Sequence, residues 1–256
     1  MTFTFVTPNA ELEVPPPQRK ITSGFTYLSS DDSPTGPVQS VLELPGSEGR
    51  TVFGNNAALI DLLAKLYVPD GSVVRDVTWG KGAFWKGTDT NRFSLQGSDV
   101  ADHIGGHDGI VRADFRSLPD EDESADLVVL DPPYIHNPGK HVTDERYNNA
   151  ATTKGMSHAD IRELYRAGMA EALRVLRPGG QLWVKTKDEI ESGKQQWSHI
   201  EIHSDATDMG LYARDLFVLV PPSKSPQTRW NTQKHARKIH SYLWVFDKPK
   251  RSRRAA

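Results

Sequence analysis

The segment Asp131-Pro132-Pro133-Tyr134 directly follows an apolar run, Leu127-Val128-Val129-Leu130, in a chain of 256 residues. Two prolines after a buried strand stop the hydrogen-bond ladder and stiffen the turn. Pro132 has no N–H, so its carbonyl can be directed beside the Asp131 carboxylate. The two acceptors together suit one donor group, such as an exocyclic NH2. Tyr134 adds a flat face on which a heterocycle can stack. A second group lies upstream, where Asp76-Val77-Thr78-Trp79-Gly80-Lys81-Gly82-Ala83-Phe84 follows Val73-Val74. Two glycines at G-x-G spacing after a strand let a ligand approach the backbone closely. The third glycine of a dinucleotide fingerprint is replaced by Trp85. A carboxylate at position 76 would repel a pyrophosphate but suits a cationic or amine-bearing ligand. Asp99 comes 23 residues after Asp76, near the spacing at which an acid accepts hydrogen bonds from ribose hydroxyls. Asp114 ends a third apolar run, Ile110–Ala113. Three strands ending in three acids describe a pocket for a nucleoside without phosphates; otherwise these acids cap helices or loops.

The elements that must position these residues read as an alternation of short buried strands and helices. Leu59, Ile60, Leu62, Leu63, Leu66 and Tyr67 share one helical face, with Asn55 or Asn56 as cap, and Pro69-Asp70-Gly71 stops that helix. Apolar runs follow at Phe93–Gln96, Ile110–Ala113, Ala125–Leu130 and Gln181–Val184. Between the last two, Ser157–Leu176 reads as a long helix, capped by Ser157 with Asp160 in the first turn and stopped at Arg177-Pro178-Gly179-Gly180. This pattern predicts an α/β fold with a mostly parallel sheet. The runs Ala213–Val220 and Ser241–Phe246, with no helix between them, predict a closing antiparallel pair at the sheet edge. In such sheets ligands bind beyond the carboxyl ends of the strands, where the acids fall.

Composition narrows the function. The chain has no cysteine, which excludes a disulfide framework, thiolate metal sites and a cysteine nucleophile. Its formal net charge of −2 conceals an uneven distribution: residues 221–256 hold ten Lys/Arg against Asp247, a net +9, and residues 1–220 carry −11. A basic tail on an acidic body suggests a polyanionic partner. No apolar run approaches a membrane-spanning length and Met1–Thr7 lacks secretory character, so a cytoplasmic chain without membrane contact is expected. The organisation expected is a partly ordered arm over 1–50, one domain over 51–247 and a basic tail over 248–256. Within the domain, 135–156 reads as a mobile polar loop and 221–238 as a basic contact segment.

The chain resembles the S-adenosylmethionine-dependent amino methyltransferases of DNA, which methylate exocyclic amines of adenine or cytosine. The resemblance covers about residues 52–246. It rests on Asp76-x-x-x-Gly80-x-Gly82, Asp99, Asp114, Asp131-Pro132-Pro133-Tyr134 and the stretch Leu173–Gly180 before a strand. It implies a Rossmann-like class I methyltransferase fold and S-adenosyl-L-methionine as cofactor, held by Asp76, Thr78, Trp79, Gly80, Gly82, Asp99, Asp114 and Phe115. It also implies that Asp131, Pro132, Pro133 and Tyr134 form the catalytic segment, holding a base flipped out of the duplex. The motif order, glycine loop first, matches the family's gamma-type arrangement. The family's glycine loop reads D-P-F-x-G-S-G-T, and this chain departs from it at Val77, Thr78, Lys81 and Ala83; Trp79, Phe84 or Trp85 would then supply the aromatic contact. A separate target-recognition domain of the usual size is missing, which leaves target choice to 135–156, to 1–50 or to 188–238.

Lys185, Lys224, Arg229, Trp230, Lys234, His235, Arg237 and Lys238 are the candidate nucleic-acid contacts, with Lys187 also at a strand end. His103 and His107 are separated by two glycines, which argues for a loop and against a metal site. The leading expectation is adenine-N6 methylation of DNA, solitary or alongside a restriction endonuclease. Methylation of guanine N2 or adenine N6 in tRNA or rRNA is the alternative, and an inert nucleic-acid-binding protein of the same fold is a third. Cytosine N4 is disfavoured because Ser more often replaces the first Asp there. Carbon-5 methylation is disfavoured because its usual thiolate adduct needs a cysteine. Whether the chain is a monomer or a dimer is open.

Overall fold

A computed structural model describes residues 51–100, 109–134, 155–222, 234–236 and 238–250. The arm 1–50, most of the loop 135–156, His103 and His107, residues 223–233 with Arg237, and residues 251–256 lie outside the described residues.

An eight-stranded sheet has the order β1-β9-β10-β6-β5-β2-β3-β4. Its strands are β1 (Thr51–Phe53), β2 (Val73–Asp76), β3 (Ser94–Asp99), β4 (Val111–Arg112), β5 (Ala125–Leu130), β6 (Leu176–Thr186), β9 (Tyr212–Val220) and β10 (Ser241–Asp247). The block β6-β5-β2-β3-β4 is parallel, and β10 runs antiparallel between β6 and β9. The antiparallel pair therefore does form, but not at the edge. β1 adds outside β9, parallel to it, and satisfies backbone that would otherwise template further pairing. A small hairpin, β7 (Glu189–Glu191) with β8 (Lys194–Gln196), stands apart.

Residues on β5 explain why the sheet is covered on both sides. Val128 and Leu130 face one core with Ile161, Tyr165, Met169 and Ala172 of α2 (His158–Val175) and Ile202 and Ala206 of α3 (Ser198–Asp208). Leu127 and Val129 face the other, with Leu59, Ile60 and Leu63 of α1 (Asn56–Tyr67). A strand buried on both faces is apolar in its buried part rather than alternating, which is what Leu127–Leu130 shows after Asp126 near the strand's start. Asn55 caps α1 by accepting from the Ala58 N–H at 3.0 Å. Ser157 and Asp160 form a reciprocal capping box at the start of α2. α2 ends where Leu176 turns extended. Near the start of β6 come Gly179, in the left-handed region at φ 88°, and Gly180, where a Cβ would lie 3.0 Å from the Asp126 and Arg177 carbonyls. Only a residue without Cβ allows the strand to pass there.

α3, β1 and the β7–β8 hairpin were not anticipated. Among the described residues no helix is long and apolar enough to cross a membrane, and no cluster of acidic and imidazole side chains could hold a metal ion.

Candidate active site

The carboxyl ends of β2, β3, β4 and β5 bring Asp76, Asp99, Asp114 and Asp131 to one edge of the sheet. β10 runs the opposite way, so its first residues, Ser241 and Tyr242, share that edge with Lys185 and Thr186.

The glycine loop is built from its own residues. Gly80 and Gly82 have φ of 54° and 65°, a conformation that costs other residues free energy. The Gly80 N–H donates to Asp99 Oδ2 at 2.9 Å, which ties the loop to the end of β3. The Trp79 N–H donates to the Ser98 carbonyl at 3.0 Å, and its indole lies over two glycines. A Cβ on Gly82 would sit 2.9 Å from the ring, and one on Gly97 would overlap both the ring and the Ile110 side chain. Gly97, in the middle of β3, is thus a site of close approach. An isolated glycine within a strand pattern is the signal that could have revealed it.

Asp76 is buried, at 1 % exposure. It accepts from the Thr78 N–H at 3.1 Å and from the Trp85 indole N–H at 2.8 Å. Burial pushes its carboxyl up to about 7, against the two hydrogen bonds, and the neighbouring Asp131 and Asp99 add to the rise. Trp85 is a core residue packed edge-on to Phe93, whereas Phe84 stays half-buried at the site.

Thr78 joins the two motifs, its hydroxyl accepting from the Asp131 N–H at 2.7 Å. Asp131 Oδ1 is buried and has no hydrogen-bond partner among the described residues. The nearest cation is the Lys185 ammonium, 3.7 Å away; the two side chains are 4 % and 18 % exposed for Lys185 and Asp131. The same ammonium lies 5.1 Å from the centre of the Tyr134 ring and 5.9 Å from that of Phe84, within cation–π range. Behind it, the buried Tyr165 hydroxyl donates to the Lys185 carbonyl at 2.8 Å and fixes the end of β6. Burial pushes the Asp131 carboxyl up, and Lys185 acts against that rise.

Several sequence expectations move. Lys185, a candidate nucleic-acid contact, is buried beside Asp131 and Tyr134. Phe115 is half-buried and packs on Gly168 of α2, where a Cβ would come within 2.8 Å of its ring, and on the core around Leu130. Asp114 is paired with Arg116, which holds its carboxyl below the usual range. Of the basic segment, Lys234 and His235 are exposed and Lys238 is half-buried; the His235 ring meets the Gly193 carbonyl at 2.9 Å. Lys224, Arg229, Trp230 and Arg237 lie outside the described residues.

No protein-family model and no curated protein sequence matches the chain. Solved structures do. One is a chain from the Haloferax volcanii complex of the Trm112 methyltransferase activator, with 18 % identity, 78 % of this chain and 91 % of that one covered, and a TM-score of 0.50. Another is a SAM-dependent methyltransferase of Methanosarcina mazei, with 14 % identity, 73 % and 97 % covered, and a TM-score of 0.46. A third is a Thermus thermophilus protein assigned as a DNA modification methylase, in complex with S-adenosyl-L-methionine, with 19 % identity, 56 % of each chain covered, and a TM-score of 0.38. The chain has the Rossmann-like fold of the SAM-dependent methyltransferases.

Proposed function

We propose that the chain is a DNA methyltransferase that modifies the exocyclic N6 amine of adenine, using S-adenosyl-L-methionine. The observation that carries this reading is Asp131: a carboxylate with one buried oxygen lacking a hydrogen-bond partner among the described residues, at the end of β5, tied to the glycine loop through Thr78 and followed by Pro132-Pro133-Tyr134.

The donor set suits this cofactor. Its sulfonium and ammonium are cations, and Asp76, Asp99 and Asp131 gather at the loop where Gly80 and Gly82 admit close approach. The buried Trp79 indole N–H has no acceptor among the described residues and can donate to a polar ligand group. Gly80, Gly82, Trp79 and Asp99 would hold the cofactor, with Asp114 at the neighbouring strand end. When bound, it supplies an electrophilic methyl group.

The chain's own part is to prepare the nucleophile. An adenine amine is weak because its lone pair is delocalised into the ring. Asp131 accepts one amine N–H and the Pro132 carbonyl the other, which favours a pyramidal nitrogen and stabilises positive charge developing there. Tyr134 offers its face to the flipped base, and such stacking offsets part of the roughly few kcal/mol that unstacking costs. Lys185 favours the ionised form of Asp131 against burial, which favours the protonated one; a protonated acid would present a donor where an acceptor is needed. No covalent enzyme intermediate is required, and positioning and electrostatics carry the step.

The test supplies isotopically methyl-labelled cofactor with duplex DNA, single-stranded DNA and total RNA, followed by nucleoside identification. N6-methyl-2′-deoxyadenosine from DNA is expected, and Asp131→Ala is expected to abolish it while cofactor binding persists. Label confined to RNA would overturn the DNA assignment, and a fully active Asp131→Ala would overturn the role of the carboxylate.

A further inference from the structure

At the end of β6 the chain continues into an aromatic array that the methyl-transfer site does not use. Asp188 accepts from the His199 backbone N–H at 3.3 Å and pairs with its Nδ1 at 2.7 Å, which pins the start of α3 to the strand end. The His199 ring stacks on Tyr242, with centres 4.1 Å apart and planes at 16°. His240 stands edge-on to Tyr242 and its Nε2 meets the Tyr242 hydroxyl at 2.8 Å. On the other side Trp197 meets His199 edge-on at 6.2 Å. The Trp244 indole donates to the His199 carbonyl at 2.9 Å, so the array is held from beneath.

Four rings are thus held in one row, and among the described residues part of it stays exposed. Trp197 is 52 % exposed, and the adjoining Ile200 and Ile239 are 55 % and 40 % exposed. Tyr242 is paired in register with Thr186, the residue after Lys185. The row therefore begins two strands from Asp131, about 10 Å at the usual strand spacing, or about three base steps of a DNA strand. The cations of this edge are also crowded. Lys187 is half-buried, and burial and then the charges of Lys185 and Lys238 hold its ammonium below the usual range. Lys194 and Lys234 are exposed nearby in the chain. The acids of the same region are engaged: Asp188 by His199, and Glu189 and Glu201 by the two nitrogens of His158, each at 2.7 Å. Glu191 accepts from the His158 backbone N–H. Crowded ammonium groups beside fixed rings complement a chain of phosphates carrying stackable bases.

We propose that Trp197, His199, Tyr242 and His240, with Lys187 and Lys238, form a docking face for the DNA strand that flanks the flipped adenine. The inference rests on the DNA methyltransferase reading and adds the place where the strand lies. Trp197 and the His199–Tyr242 pair receive unstacked bases, and the two lysines receive the phosphates between them.

The test measures binding of the full chain to a fluorescein-labelled mixed-sequence 20-mer, single-stranded and as a duplex with one mismatched adenine, by fluorescence anisotropy over a salt series. Trp197→Ala is expected to weaken binding about five- to 100-fold, with Trp197→Phe close to the unaltered protein. Lys187→Ala is expected to lower the slope of log affinity against log salt by about one. Trp197 is a surface residue, so unchanged thermal unfolding of the variants separates lost contact from lost fold. If the unaltered protein methylates DNA but Trp197→Ala and Lys187→Ala bind as it does, the docking face is refuted and the methyltransferase reading survives. If the unaltered protein binds and methylates neither DNA form, both fall together.

Discussion

Replacing Lys185 with Met tests the charge balance at Asp131, the carboxylate proposed to hold the target amine. The ammonium lies 3.7 Å from Asp131 Oδ1, with side chains only 4 % and 18 % exposed. Two unit charges at that separation attract by about 4 kcal/mol at an effective dielectric constant of about 20. Loss of this attraction favours the protonated carboxyl, so the acidic limb of the kcat/KM profile is expected to move to higher pH, by less than the full Coulomb figure because the partly open carboxylate rehydrates. The sign follows from the geometry: burial already raises Asp131 and Lys185 opposes it, so the variant holds the protonated form to higher pH. Activity should fall most at the acidic end of the range and recover as pH rises. The assay is transfer of labelled methyl to duplex DNA between about pH 5.5 and 9, with cofactor affinity measured beside it. A phosphate-binding lysine would behave otherwise: KM for DNA and its salt slope would change while the limb stayed in place. That outcome would refute the pairing argument.

Two further expectations concern stability. The pKa of His158 is raised to about 9, chiefly by Glu189 and also by Glu201, against its own burial. Its contribution is therefore complete below the unfolded value of about 6.5 and is lost as pH rises through 9, a change of about 3 kcal/mol. The melting temperature should fall by several degrees between pH 6.5 and 9, and His158→Gln should flatten that fall; an unchanged slope in the variant would remove His158 as its source. Gly97→Ala should displace the Trp79 indole, because the added Cβ would overlap it and Ile110. Calorimetry should show a loss of about 1–3 kcal/mol together with weakened cofactor binding, and native-like values for both would contradict the close packing described for Trp79.

What the sequence made legible was local. Asn55 and Ser157 announce the helix starts they cap, and the motif aspartates do fall at strand ends, because caps and strand terminators act over a few residues. The parts that escaped depend on contacts distant in the chain. α3 carries a weak apolar pattern, and its stability comes from elsewhere: Asp205, 1 % exposed, accepts from Arg162 and Arg166 on α2. β1 has three residues and acquires meaning only by pairing with β9, more than 160 positions later. Lys185 looked like any strand-end lysine. Its surroundings come from two other segments, Phe84 of the glycine loop and Asp131 and Tyr134 after β5. The array at His199 and Tyr242 joins residues 43 positions apart whose types alone suggest nothing.

The four acids at the sheet edge also show why residue type did not settle their roles. Asp114 faces Arg116 and stays strongly acidic. Asp99 accepts a backbone N–H of the glycine loop, so it shapes the loop as well as offering an acceptor to a ribose. Asp76 has its oxygens on Thr78 and Trp85, and burial carries it to about 7. That places it as the internal brace of the loop more than as a direct ligand. Only Asp131 combines burial with an oxygen lacking a hydrogen-bond partner among the described residues and a cation close enough to favour its ionised form. Environment divides one side-chain type into an ion pair, a loop anchor, a buried brace and, at Asp131, the acceptor that the proposed function assigns to substrate. It follows that replacing Asp76 should disturb cofactor binding through the loop, whereas replacing Asp131 should spare the loop and stop transfer. The separation between binding and chemistry is therefore written in the partners of these carboxylates.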